Sequence, residues 1–485
     1  MLSEHIASQI YRNFAFEPTL GQKNVVEALS GFMTDPDYSK IFILNGYAGT
    51  GKTTVMIDRI LYLMHMVPDL DMSEISGMKI KTVLLAPTGR AAKVVSRYAG
   101  QKAFTIHKKI YRQKSLASAD AQFSLDYNRE KDAVFVVDEA SMLANYSFDP
   151  SAFGSGNLLD DLVRYVRQGS RCRLIVVGDS AQLPPVGMEC SPALDPEKMR
   201  GYGDVTYVQL EEVMRQQDTS GILFNATLVR CMLSAGIIDI PMFDLSFGDV
   251  EQVDGGEILE RIQDAYCKYG MEETLIITRS NKRANRFNEG VRRNVLFAEE
   301  EIGSGDMLMV VKNNYHYTER EQDCSVDFIA NGDTALLSRI RRFEDFYGFR
   351  FADAQLTFPD YDSLELDCKI LLDTLSSDSP SLTREQGSQL FQGVAEDYAD
   401  ITSKAKRYKE VRENPYFNAM QVKFAYAVTC HKAQGGQWKC VFVDKMLFGE
   451  EVMTRELMQW LYTAITRATE KLYFINFDER FFDGK

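Results

Sequence analysis

Short, unbroken apolar runs recur along the chain, each ending in a loop and followed by a segment with helical periodicity. They are Ile41–Leu44, Val83–Leu85, Val134–Val137, Leu174–Val177, Leu275–Thr278, Val441–Asp444 and Leu472–Ile475. A half-exposed strand alternates apolar and polar residues, whereas a strand covered on both faces does not. Unbroken runs bounded by Gly, Pro and Asp therefore predict parallel strands inside an α/β sheet. The runs form an early group, before about residue 230, and a late group. Ligands of open parallel sheets lie beyond the carboxyl ends of the strands, and the polar motifs of this chain fall there.

Two regions fit neither group. Lys108–Lys131 is polar, with a hairpin predicted around Phe123–Tyr127. Between Ile329 and Asn418 the character changes again. There Leu364, Leu366, Cys368 and Ile370 alternate with Glu365, Asp367 and Lys369, the pattern of a half-buried strand. Thr383–Glu413 reads as helical, with Thr383 as N-cap and Gln386 three residues later. The stretch from Ala352 to Asp400 is acidic, which argues against its lining a phosphate track. Gly154-Ser155-Gly156 marks a surface loop.

The length of 485 residues accommodates two to four domains. No apolar run is long enough to cross a bilayer, and Met1–Phe16 mixes Glu4, His5 and Arg12 with apolar residues, unlike a signal peptide. These features point to the cytoplasm, where the eight cysteines would stay reduced. None of them forms a CxxC pair and the five histidines are scattered, which argues against a zinc or iron–sulfur site. The net charge of −14 by itself disfavours a polyanionic partner. Its distribution reverses that expectation. From Ile75 to Ala119 there is no Asp or Glu, while Lys79, Lys81, Arg90, Lys93, Arg97, Lys102, Lys108, Lys109, Arg112 and Lys114 all fall there. Such a local basic stripe suits a phosphate-binding track whatever the total charge.

Three blocks carry phosphate chemistry. Gly46-Tyr47-Ala48-Gly49-Thr50-Gly51-Lys52-Thr53 fits G-x-x-x-x-G-K-[ST] after the run Ile41–Leu44 and before a helix-like segment from Thr54. Backbone N–H groups of Gly46, Gly49, Thr50 and Gly51 can curl around phosphate oxygens, and the helix N-terminus adds positive potential. Lys52 would bind the β- and γ-phosphates, and Thr53 would ligate Mg²⁺. The run Val134–Val137 then places Asp138 and Glu139 at a strand end. Asp138 would hold Mg²⁺ through water and Glu139 would polarise the attacking water. Gly178–Val186 follows another strand, with Gln182 placed to sense a γ-phosphate. Arg215 and Arg467 are candidates for neutralising transition-state charge, because a guanidinium stays charged and reaches two oxygens.

These blocks, in this order, resemble superfamily 1B DNA helicases, most closely the RecD-like and Dda-like group. Thr19-Leu20-Gly21-Gln22 resembles the Q motif, Leu85–Lys93 motif Ia and Thr105-Ile106-His107 motif Ib. Asp138–Ser141, Gly178–Val186 and Leu210–Gln216 resemble motifs II, III and IV, Thr278–Asn281 the second-domain strand motif, Thr429–Gly435 motif V and Tyr462–Ala468 motif VI. The resemblance implies that Gln22 reads adenine and that Thr54 and Gly435 also meet the nucleotide. It implies that Pro87, Thr88, Lys93, Thr105, His107, Pro184, Thr278, Asn281, Thr429 and His431 line a single-strand channel. Small hydroxyl and amide groups suit a motor that holds backbone without reading sequence. Phe123 falls in the segment where the family inserts a β-hairpin pin, and Asn331-Gly332-Asp333 resembles the entry to an SH3-like module.

The fold implied is α/β, with two RecA-like P-loop NTPase domains, a pin insertion and an SH3-like insertion carrying extra helices. The corresponding division is 1–107 and 132–235 for the first RecA-like domain, 108–131 for the pin, 236–330 and 419–485 for the second domain, and 331–418 for the SH3-like insertion. The function implied is Mg²⁺-ATP-driven translocation on single-stranded DNA, 5′→3′, with unwinding at a DNA fork. Two alternatives stay open: an RNA-acting helicase of the same superfamily, and an ATP-switched nucleic-acid-binding subunit of a larger recombination or repair complex.

Overall fold

A computed structural model describes residues 2–12, 17–47, 81–113, 123–146, 154–211, 220–319, 328–361, 363–445 and 452–482. The chain divides into two compact units. The first is built mainly of Met1–Lys114, Ala121–Asp239 and Met453–Thr463, the second of Ile240–Val452 and Ala464–Lys485.

The strands of the first unit are β1 (Ile41–Gly46), β2 (Lys81–Ala86), β3 (Ala103–Thr105), β4 (Tyr111–Gln113), β5 (Phe123–Leu125), β6 (Ala133–Val137), β7 (Arg173–Gly178) and β8 (Val205–Leu210). Six of them form one parallel sheet in the order β3-β2-β6-β7-β1-β8. The unbroken apolar runs have a direct physical cause here. Alternate residues enter two different cores: Phe42, Leu44, Val134, Val136, Ile175 and Val177 face one layer with Val25, Leu29 and Phe32. Ile41, Ile43, Phe135, Val137, Leu174 and Val176 face the other, with Leu159, Leu162 and Val166. The remaining two strands pair antiparallel, Tyr111 with Leu125 and Gln113 with Phe123, so a hairpin stands in the segment where one was expected. Its root is fixed by a buried hydrogen bond of 2.8 Å from the Tyr111 hydroxyl to Asp161.

The second unit contains β9 (Val250–Val253), β10 (Thr274–Thr278), β11 (Met307–Val310), β12 (Thr334–Phe346), β13 (Phe349–Phe358), β14 (Leu364–Leu371), β15 (Met420–Phe424), β16 (Ala427–Thr429), β17 (Trp438–Asp444) and β18 (Ala468–Ile475). A parallel sheet runs β16-β10-β17-β18-β9, and β11 to β15 close into a barrel. The helix Asn281–Asn294 ties sheet to barrel. Arg292 pairs with Asp306 at 2.8 and 2.9 Å, Tyr426 donates to the same carboxylate at 2.9 Å, and the Asn288 amide clamps the backbone of Phe424 and Ala427.

Three expectations are corrected. The barrel runs from Met307 to Phe424, so its first and last strands come from outside 331–418. The helical stretch 383–413 is two helices, Arg384–Glu396 and Lys404–Glu413, and the capping box between Thr383 and Gln386 starts the first. Together with Phe349, Phe351 and Leu371 they build a separate small core around Leu390, Val394 and Val411. Finally, Met453–Thr463 belongs to the first unit although its sequence neighbours on both sides belong to the second. The short strands β3 and β16, and the sheet-edge strands β8 and β9, escaped the apolar pattern because an edge or three-residue strand buries too little to need it.

Candidate nucleotide and nucleic-acid site

Residues Gly49, Thr50, Gly51, Lys52, Thr53 and Thr54 of the phosphate loop lie outside the described residues, as does Arg215. The segment that enters the loop, Ile41 to Tyr47, is described. Its stem residue Asn45 exchanges two hydrogen bonds with Ser180, Nδ2 to the hydroxyl at 2.8 Å and the Ser180 N–H to Oδ1 at 3.0 Å. After Gly46, Tyr47 is 5% exposed. Its hydroxyl accepts from Gln209 at 2.7 Å, and the Arg230 guanidinium lies 4.6 Å from its ring centroid.

At the end of β6, Asp138 is buried, and one of its oxygens accepts the Glu139 N–H at 2.9 Å. Glu139 has φ +53°, a left-handed conformation that costs a non-glycine residue on the order of 1 kcal/mol and concentrates at functional sites. Its Oε2 is buried without a hydrogen-bond partner among the described residues. Glu139 thus combines a left-handed backbone with a buried carboxylate oxygen that no described residue satisfies.

The loop after β7 packs directly on that turn. A Cβ at Gly178 would lie 3.1 Å from the Ser141 backbone nitrogen and 2.8 Å from Leu194, so glycine permits the approach. The Ser141 hydroxyl donates to Gln182 Oε1 at 3.4 Å. Asp179 is fully buried. One of its oxygens accepts the Ala181 N–H at 2.9 Å, and the other accepts the Tyr462 hydroxyl at 2.7 Å. The Leu183 N–H donates to Thr463 at 2.8 Å, and Gln459 donates to the Ser180 carbonyl at 3.4 Å. Helix Arg455–Ile465 is thus fastened to the Gln182 loop by three residues on one face, at positions 459, 462 and 463.

In the second unit, Thr429 ends β16, and His431 and Gly435 follow it. Gly435 has φ +75°, which favours glycine. Arg467 is 4% exposed, and its guanidinium donates to the Gly436 carbonyl and to Thr466, each at 3.1 Å.

Residues 19–230 match the AAA domain family, and residues 424–475 match the UvrD-like helicase C-terminal domain. The first match spans the part of the chain that carries the phosphate loop and Asp138-Glu139, and the second the part that carries Thr429–Gly435 and Arg467. An uncharacterized protein of Methanocaldococcus jannaschii is 25% identical over 493 residues, covering 90% of this chain. The chain spans 36% of that relative's length. Among solved structures, it is similar to the Bacteroides Pif1 helicase in complex with ADP-AlF3 and single-stranded DNA, at 13% identity and TM-score 0.48, covering 96% of this chain and 94% of that one. It is also similar to Pif1 helicase from Candida albicans, at 15% identity and TM-score 0.41, covering 96% of each.

Several residues expected at the nucleotide or the strand have local duties. Thr88 and Thr105 are N-caps, accepting the N–H groups of Ala91 and Lys108, each at 3.2 Å. Gln22 closes a capping box with Thr19. Thr278 and Pro184, also expected at the strand, are buried in the structure. The Thr278 hydroxyl is turned to the Ser280 and Val428 carbonyls. Pro87, Lys93, His107, Asn281, Thr429 and His431 are half-buried and keep exposed surface. Thr429, unlike Thr88 and Thr105, makes no side-chain cap bond. Burial pushes the His107 imidazole down to about 4, so it is neutral at pH 7. The Phe123 side chain lies outside the described residues. Sequence reading missed Asn45, Ser141, Ser180, Gln459, Tyr462 and Thr463. Ser141, Ser180, Tyr462 and Thr463 sat inside quoted motifs, but nothing in a one-dimensional pattern pairs position 179 with 462.

Proposed function

We propose that this chain is a superfamily 1 helicase of the Pif1/RecD-like type, a Mg²⁺-ATP-driven motor that moves 5′→3′ along single-stranded DNA and opens duplex at a fork. The observation that carries the reading is the turn Asp138-Glu139, with its strained backbone and a buried carboxylate oxygen that no described residue satisfies. Lys52 and the glycine-loop amides would hold the β- and γ-phosphates. Asp138 and Thr53 would hold Mg²⁺, which when bound neutralises phosphate charge. A single protein carboxylate plus a hydroxyl suits this ion, which takes its remaining ligands from phosphates and water. Glu139 would orient and polarise the attacking water. Gln182, steered by Ser141, would register the γ-phosphate, and Arg215 and Arg467 would neutralise charge on the transferring group. Gln22, Thr54 and Gly435 would complete the nucleotide contacts.

Pro87, Thr88, Lys93, Thr105, His107, Asn281, Thr429 and His431 would form the strand track. The β4–β5 hairpin, anchored by Tyr111, would act as the wedge. Opening one base pair costs about 1.4 kcal/mol of stacking on average, well within the reach of a hydrolysis-driven step if the wedge prevents slippage. We further propose a cytoplasmic location, which suits the seven free cysteines among the described residues. The deciding experiment is strand displacement by the isolated chain on duplexes carrying a 5′ or a 3′ single-stranded tail. ATP-dependent release from the 5′-tailed substrate alone is expected. Release only with a 3′ tail would overturn the direction, and failure on both would overturn unwinding.

A further inference from the structure

The barrel leaves one of its strands half paired. β12 is 13 residues long, yet β11 covers only Thr334, Ala335 and Leu336 on one side. Leu337 then exchanges backbone hydrogen bonds with Gly305 and Asp306. From Ser338 to Phe346 the side of β12 away from β13 meets no backbone hydrogen-bond partner among the described residues. Ile340 and Glu344 are half-buried there, and the rest of this stretch is exposed. Phe343 is 61% exposed and Phe346 45%. Arg339, Arg341 and Arg342 fall within four positions. Arg341 reaches Asp367 only at 4.0 Å, and Arg342 lies 3.0 Å from Glu344 with its side chain 73% exposed. The Glu344 carboxylate is already engaged by Lys369 at 2.7 Å and the Tyr416 hydroxyl at 3.0 Å, and Asp345 stands opposite Arg350.

We propose that the outer edge of β12, from Ser338 to Phe346, is a docking site for an acidic segment of another protein, which adds to the barrel as an extra strand. A free strand edge alternates N–H donors and C=O acceptors, and an extended peptide supplies the complementary series. A nucleic-acid backbone offers phosphate acceptors alone, so it could satisfy the arginines but not the edge. Charge selects the kind of segment. Three arginines in four positions stand on a chain of net charge −14, and a guanidinium takes a carboxylate through two parallel hydrogen bonds. The same charges repel an identical edge, which disfavours a second copy of β12 as the occupant. Natural proteins also blunt an edge with charges and bulges, and this strand has register breaks between Leu337 and Arg339 and between Arg341 and Phe343. Blunting gains nothing from two exposed aromatic rings, whereas an added strand covers them. Phe346 is held against Tyr416, ring centroids 5.0 Å apart, so the aromatic end of the edge is preorganised. The break at Arg342 divides the edge into a cationic stretch, Arg339–Arg341, and an aromatic one, Phe343–Phe346. The segment that fits therefore carries carboxylates at one end and apolar residues at the other.

The test is fluorescence anisotropy of a labelled peptide joining Asp-Glu-Asp to Val-Phe-Val, with the full chain, combined with hydrogen exchange read by mass spectrometry. The peptide should bind and should slow exchange of backbone amides within 338–346. A version with lysines in place of the acids should not bind. A version N-methylated at alternate amides should not bind either, because it cannot complete the edge hydrogen bonds. Arg339→Glu and Arg342→Glu together should weaken the acidic peptide about tenfold, the scale of losing two exposed charge pairs. Both side chains are exposed, and a thermal melt at the wild-type temperature confirms that the double variant is folded. Equal binding of the acidic and lysine peptides overturns the proposal, as does unchanged binding by the folded double variant or of the N-methylated peptide. Slowed exchange confined to other segments overturns it too. Displacement of the peptide by oligothymidylate would assign the edge to nucleic acid, and a wild-type dimer that the double variant dissociates would assign it to a second copy. Either result overturns the proposal.

Discussion

The Tyr462 hydroxyl donates to the Asp179 carboxylate at 2.7 Å, and both groups are buried. Asp179 opens the loop that ends in Gln182, and Tyr462 lies five positions before Arg467 in sequence. The helix carrying Tyr462 therefore takes its position from the loop that would sense the γ-phosphate. Tyr462→Phe removes this donor from a buried carboxylate. It should destabilise the protein by about 1–3 kcal/mol in urea melts. Steady-state ATPase at saturating single-stranded DNA should fall in kcat with little change in KM for ATP. Wild-type stability and turnover would show that the hydrogen bond does not form in solution.

Glu139→Gln should bind nucleotide and single-stranded DNA normally while hydrolysing slowly, because Asp138 keeps its place at the end of β6. The binding half is read by titration with a fluorescent ATP analogue and the turnover half by phosphate release. Loss of nucleotide binding together with turnover would show that the two carboxylates do not divide the work.

If Arg467 reaches the nucleotide as proposed, Arg467→Ala should lower DNA-stimulated hydrolysis on the order of 10³-fold, the scale of an arginine finger. Lysine should not rescue it, since the guanidinium also donates to Gly436 and Thr466. Near-normal turnover would leave Arg467 with only the structural task of joining motif VI to motif V.

Replacing residues 114–122 by a short Gly-Ser turn keeps the β4–β5 pairing and the Tyr111–Asp161 anchor. Single-strand-stimulated ATPase should survive and duplex unwinding should drop severely. Unwinding at the parental rate would place the wedge elsewhere.

The buried His107 gives a pH signature. Its folded-state value, about 4, is below the ordinary 6.5, so the native state prefers the neutral ring. Its stability contribution is fully present above pH 6.5 and is lost as pH falls from there toward about 4, at up to about 1.4 kcal/mol per pH unit. A His107→Asn variant should show a flatter stability profile over that window in urea melts. An unchanged profile would mean the ring is hydrated in the native state.

Local chemistry was legible in the sequence because it is written in contiguous residues. The runs Ile41–Leu44, Val134–Val137 and Leu174–Val177 are apolar at every position because each strand feeds two cores, and a parallel sheet leaves that trace without reference to any partner. The Asp138-Glu139 pair and the capping box at Thr383 were readable for the same reason: backbone and side chain meet within four residues. Tertiary structure alone decided the rest. It turned Thr278 inward, since the end of a central strand is buried while its sequence looks like any loop entry. It brought Met307–Val310 and Met420–Phe424 together to complete a barrel whose strands are separated by two helices. It set Asp179 against Tyr462, 283 residues apart. Such pairings depend on how whole layers stack. The free energy that selects them is spread over the buried surface of both elements rather than held in any one short segment, so no local pattern records it.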